Sequence, residues 1–308
     1  MIVLAESGVS DNTKRTREQQ WKRYKIFCDL YDLSASPCSA SQASLYVTYL
    51  SDKLKPVSIR NYLSAVWYFQ KLYGYPDFSG NFLLKQTLTG IDRLCSTEAA
   101  EKYPLSPVDL LNMYKLLDMS VNVDKVFWVS LLLAYRCVLR VGHVCKSVHS
   151  MKVKHVILTK EYVKIHISSS KTDQFGKNPQ DIYLSRLNSP LCPCKILEDL
   201  CSAPWATPES NLFRIKGVSS LKTQEYLNFN LKLKGLSIAL GLPVDRISTH
   251  SIRHGGATML KNLGLSVDSI KKMGNWRSDA INNYLHQSQS DLLKLDVVPA
   301  NYLSNLKV

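Results

Sequence analysis

At 308 residues, 45% of them hydrophobic and 21% charged, the chain has enough apolar material to bury a sizeable core and the length of two domains. Its formal net charge of +14 calls for a polyanionic partner, and nucleic acid fits, because Lys and Arg displace the counterions condensed on phosphates. The composition argues against membrane spans, since the apolar run from Trp128 to Ala134 is short and Arg136 follows it; a secretory signal and a zinc site are likewise not expected, as only Cys192-Pro193-Cys194 is close-set among eight cysteines that are read as reduced thiols.

From Ser10 a first helix is signalled by polar capping residues and by Trp21, Tyr24, Phe27, Cys28 and Tyr31 at helical spacing, with Lys14, Arg15, Arg17, Lys22 and Arg23 on a basic face open to DNA. A second runs from about Ser41 to Leu54, with Leu45, Val47, Tyr49 and Leu50 as its apolar positions. Lys55-Pro56 separates it from a third, which carries Ile59, Leu63, Val66, Trp67, Phe69 and Leu72 and stops at Gly74-Tyr75-Pro76. A fourth spans about Asn81 to Cys95. The polar run from Ser96 to Lys102 and then Tyr103-Pro104 mark a boundary, giving an all-helical domain over 1–102 and a second domain over 103–308.

Ser106-Pro107-Val108-Asp109 opens a new helix. A buried helix then runs from about Phe127 into Leu139-Arg140-Val141-Gly142-His143, where an arginine in apolar surroundings needs a charged partner. Strands are expected at Val153–Leu158, Tyr162–Ile167 and Asp181–Leu184. The last two are joined by a hairpin over 168–177 with Gly176 at its tip, which carries Lys171 and Lys177. A helix follows Leu191, residues 204–218 read as irregular, and a further helix covers about Ser220 to Leu240 with Lys222, Lys232 and Lys234 as plausible phosphate contacts. The fold class is therefore mainly α with a small β-sheet.

The richest stretch is Ser248 to His286. His250 and Arg253 stand one turn apart at a helix start, where free backbone N–H groups also favour an anion. An amphipathic run leads to Gly274-Asn275-Trp276 and then to Tyr284. A phenol, with a reference pKa of about 10, attacks poorly unless cations or a base stabilise the phenolate, and clustered arginines around a phosphodiester would do this without a metal. The tail after Tyr284, with Leu292, Leu293, Leu295 and Val297-Val298-Pro299, packs either on its own domain or on a neighbour.

His250-x-x-Arg253-His254-x-x-Ala257-Thr258, followed by Gly274-x-Trp276 and Tyr284, resembles the carboxy-terminal signature of the tyrosine recombinases, the phage-integrase superfamily, and its Gly-Asn-Trp-Arg-Ser-Asp-Ala wording is closest to recombinases of eukaryotic mobile elements of the crypton and DIRS type. The resemblance implies an all-helical core-binding domain followed by an α+β catalytic domain, double-stranded DNA as partner, dimers or tetramers on DNA, a nuclear location and no cofactor. It implies that Tyr284 is the nucleophile, that Arg140, Arg253, His250 and Trp276 bind the phosphate, and that Lys171 is the general acid; Arg136 and Lys177 are the competing residues. Two departures stand out. His143 occupies the place of a usual acidic residue, and Asn275 falls in the His/Trp place, with Trp276 one later. Trp276 is assigned the role because an indole donates Nε1–H, and Asn275 remains an alternative. The rival readings are a type IB topoisomerase, a non-catalytic DNA-binding protein and, least well supported, a metal nuclease using His250 and His254.

Overall fold

The computed structural model describes residues 8–95, 101–171, 173–216, 221–276 and 281, and the chain divides into two compact units, Met1–Ala99 and Ala100–Val308. In the first unit Ser10 caps α1 (Asp11–Leu30), its Oγ accepting the Thr13 N–H at 3.3 Å, and a capping box of Ser39 and Gln42 opens α2 (Ala40–Ser51). Pro56 sits in the first turn of α3 (Pro56–Leu72), where its missing N–H costs nothing, and α4 (Phe82–Cys95) closes the unit. Tyr24, Phe27, Tyr46, Val47, Leu50, Ile59, Leu63, Val66, Leu84 and Leu88 form its core.

Two expectations change here. The inward stripe of α2 is Ala43, Tyr46, Val47 and Leu50, not the one through Leu45, which is 58% exposed. Tyr46 is drawn in because its ring meets Tyr24 edge-on and lies against Phe27, each at 5.0 Å between centroids. On α1, two of the five basic residues face their own unit: Arg17 lies 4.1 Å over the Tyr68 ring, and Arg23 donates to the Tyr62 hydroxyl at 3.2 Å. Arg15, Lys22 and also Lys25 are exposed.

In the second unit, Ser106 and Asp109 form the capping box of α5 (Pro107–Lys115), and α6 (Asn122–Arg136) is buried without a break from Val126 to Tyr135. Strands β1 (Val156–Leu158), β2 (Tyr162–Ile167) and β3 (Gln180–Ser185) make an antiparallel sheet in that order. Opposite pairs such as Val163–Leu184 and Ile165–Ile182 fall on its buried side. Residues Val153–His155 form a 3₁₀ turn instead of the start of β1.

After α7 (Cys194–Cys201), a second hairpin joins β4 (Arg214–Lys216) and β5 (Leu221–Thr223) where an irregular segment and a helix start were expected. The strand is followed by Gln224, whose buried amide donates to Ser130 Oγ at 2.9 Å and to the Val144 carbonyl at 3.1 Å, while its backbone N–H donates to Phe213 O at 2.9 Å. These fixed partners hold the segment extended, and the helix, α8 (Tyr226–Ala239), begins only beyond it.

The last described helices are α9 (Thr249–Asn262) and α10 (Val267–Met273), and α9 packs on both α6 and α10. Its adjacent glycines explain how close it comes. A Cβ on Gly255 would stand 2.0 Å from the Leu105 carbonyl oxygen, and one on Gly256 would stand 2.1 Å from that of Tyr135. The fold class is as the sequence led one to expect, mainly helical with small antiparallel sheets. No helix among the described residues is long and apolar enough to cross a membrane.

Candidate active site

Arg140 is positioned by the way α6 ends. The Leu139 N–H donates to Ala134 O at 3.0 Å and the Val138 N–H to Tyr135 O at 3.3 Å, closing the helix with Val138 at φ +51, where glycine is usual. That backbone costs a β-branched residue about 1–2 kcal/mol, which the complete burial of Val138 against Ala257, Leu260, Ile270 and Trp276 offsets. The chain then leaves the core, and Arg140 precedes a 3₁₀ turn over Val141–His143, with the His143 N–H on Arg140 O at 2.9 Å. Arg136, the competing arginine, lies elsewhere: its charge is felt at Cys137, Cys192 and Cys194.

His143 is 5% exposed. Burial first, then the neighbouring His149, Arg140 and Arg253, press its pKa down to about 4, so at neutral pH it is uncharged and adds no positive charge beside Arg140. His149, which the sequence did not single out, bonds Ser169 Oγ through Nδ1 at 2.8 Å, and burial and Arg140 lower its pKa too.

Lys171 is exposed on the connection between β2 and β3. Ser170 and Asp173 exchange both backbone hydrogen bonds around it, at 3.0 and 2.9 Å, and the Asp173 carboxylate accepts from the Lys177 and Asn178 N–H groups at 3.1 and 2.8 Å. The tip is therefore at Lys171. Gly176, expected there, sits on the return limb at φ +63, where a Cβ would meet Ser168 O at 2.7 Å.

His250 and Arg253 stand one turn apart at the start of α9. Arg253 is 3% exposed, donates from Nη2 to Gly274 O at 2.6 Å and lies 3.8 Å from the centroid of the Trp276 ring. The indole folds back over Gly274 so closely that a Cβ there would fall 1.8 Å from it, which accounts for the Gly-x-Trp spacing. Asn275, at φ +51, donates from Nδ2 to Ser170 Oγ at 3.4 Å, and Gln180 Nε2 donates to the Lys272 and Met273 carbonyls at 2.9 and 3.1 Å. The turn after α10 is thus tied to both ends of the lysine loop. Trp276 backs Arg253, whereas Asn275 reaches the Lys171 side.

His250 is open to solvent on one side, yet the protein packed around its ring, then Arg253, Lys102, Lys171 and Arg140, lower its pKa. Segments far apart in the chain thus bring four cations within electrostatic reach of one imidazole. Lys102 was missed because a lysine in a polar run carries no signal of its own. Such a cluster favours an oxyanion. Among the described residues, no group of three His, Cys, Asp or Glu side chains could hold a metal ion. Tyr284 and the tail beyond it lie outside the described residues.

The model of the Phage integrase family matches residues 109–291, so the chain belongs to that family. No curated protein matches it in sequence. Among solved structures it resembles the XerH site-specific recombinase bound to difH substrate (TM-score 0.62, 13% identity, 93% of this chain and 79% of that one). It also resembles the Tn1549 transposon integrase in complex with circular intermediate DNA (TM-score 0.61, 15% identity, 93% and 94%) and a lambda integrase dimer bound to a COC' core site (TM-score 0.61, 15% identity, 93% and 93%). At these identities the likeness is one of fold.

Proposed function

We propose that the protein is a site-specific DNA recombinase that cuts and rejoins strands through a 3'-phosphotyrosine. The observation that carries the reading is the convergence of Arg140, Lys171, Arg253 and Lys102 on His250. In the first step the Tyr284 oxygen attacks the scissile phosphorus, neutral His250 takes the phenol proton, and Arg140 and Arg253 stabilise the added charge. The bond to the 5' oxygen breaks as Lys171 protonates it. A second 5' hydroxyl then displaces the tyrosine, so no external energy source is needed.

The wording around Gly274–Ala280 supports a role in a mobile element of crypton or DIRS type, acting on DNA in the nucleus as a dimer or tetramer, with residues 1–102 as the core-binding domain. Neutral His143 favours one other reading, a DNA-binding protein without turnover. The test starts with duplexes selected by binding from a random pool and placed in pairs on supercoiled plasmids. Recombinant junctions between the two sites support the proposal; relaxation without junctions would support a topoisomerase, and binding alone the non-catalytic reading.

A further inference from the structure

Apart from the cation cluster, the structure brings two cysteines and an arginine together where the end of α6 meets the start of α7. Cys192 is half-buried and lines a cleft of about 460 Å³ with Tyr114, Arg186 and Glu198, while Cys194 is 1% exposed behind it. The Leu187 N–H donates to Cys192 Sγ at 3.2 Å, and Cys194, two residues on, lines the same cleft. A hydrogen bond donated to sulfur favours its anion.

Arg136 is the second observation. Its Nη1 is buried and has no hydrogen-bond partner among the described residues, and its charge acts on both thiols. A buried guanidinium nitrogen without an acceptor is costly, and negative charge on Cys192 would lessen that cost. The other charges at the cleft are matched, Arg186 with Glu198 at 2.6 Å and Lys195 with Asp199 at 3.7 Å. Burial pulls the Cys192 thiol upward, but the hydrogen bonds and Arg136 outweigh it and leave its pKa below the ordinary value, whereas burial pushes that of Cys194 up to about 11.

We propose that Cys192 and Cys194 are a peroxide-reactive dithiol, with Cys192 the sulfur oxidised first and Cys194 the one that closes the disulfide. The Cys192 thiolate attacks one oxygen of a hydroperoxide, and the O–O bond breaks. The departing oxygen leaves as water or an alcohol after taking a proton, so sulfur is oxidised by two electrons to a sulfenic acid as the peroxide is reduced. Cys194 sulfur then attacks Cys192 sulfur and gives up its proton; the S–S bond forms as the S–O bond breaks and water departs. A dithiol reductant reverses the change by exchange.

The test uses the full chain, reduced, at pH 7. Iodoacetamide should label Cys192 roughly tenfold faster than Cys95, which is also half-buried. After stoichiometric hydrogen peroxide, the tryptic peptide over 187–195 should be lighter by two hydrogens and resist alkylation until dithiothreitol is added. In Cys194→Ser the same treatment should leave a dimedone-reactive Cys192. Arg136→Gln, verified as folded by circular dichroism, should slow Cys192 labelling relative to the parent. Labelling of Cys192 no faster than Cys95, or a 187–195 peptide still doubly alkylated after peroxide, would overturn the proposal.

Discussion

His143 stands three residues past Arg140 and is buried in its neutral form. It also makes stability depend on pH in a definite direction. The unfolded residue takes up a proton near pH 6.5, the folded one only near 4, so between those values the unfolded chain binds more protons and stability falls as pH falls. His143 alone should remove about 3 kcal/mol between pH 7 and about 3, and nothing further below that. Other imidazoles act in the same sense, so the informative quantity is a difference: urea unfolding of His143→Gln should show a shallower pH slope than the parent, and equal slopes would refute the assignment. For Lys171 the decisive variable is the leaving group. Lys171→Ala should slow cleavage by about 10²–10⁴-fold on ordinary DNA. A substrate with sulfur in place of the bridging 5' oxygen needs no protonation on departure and should recover most of that rate; equal loss on both substrates would remove Lys171 from the general-acid role.

At the scale of elements, α9 is held by contacts that admit no side chain. Gly256→Ala forces a methyl group onto the Tyr135 carbonyl and should cost about 3 kcal/mol or more in unfolding experiments, as should Gly274→Ala against the Trp276 ring. Gly235, inside α8 with nothing within 4 Å of the place an added methyl group would take, is the control: Gly235→Ala should stabilise by about 0.5–1 kcal/mol, and a loss at all three positions would discredit the packing argument. The elements differ in how legible they were. The extents of the first unit's helices and of strands β2 and β3 could be read directly from apolar spacing, although the inward stripe of α2 and the tip of the β2–β3 loop could not. The β4–β5 hairpin was not legible, since its strands are three residues long and depend on Gln224 finding Ser130 and Val144, contacts no local pattern encodes. His250 and Arg253 were visible as a motif on one helix face. Lys102 and His149 were not, because only the folded chain brings them to the cluster.

On the scale of the whole molecule, charge is unevenly distributed: residues 1–103 hold 13 basic and 10 acidic side chains, residues 104–308 hold 26 and 15. Arg15, Lys22 and Lys25 remain exposed on α1, so if the first unit grips DNA, replacing all three by alanine should weaken binding and flatten its log–log salt slope by up to about 3. An unchanged slope would place the contacts elsewhere. In the proposed mechanism a cation cluster drives attack by Tyr284 on a phosphodiester. The measurement that tests it most directly is covalent trapping on a pool of nicked duplexes selected by binding, in EDTA, with the parent protein and Tyr284→Phe compared after SDS denaturation. Protein-linked DNA is expected from the parent and none from the variant at equal binding. Adducts that persist in Tyr284→Phe, or none from a parent that binds the selected DNA, would contradict it.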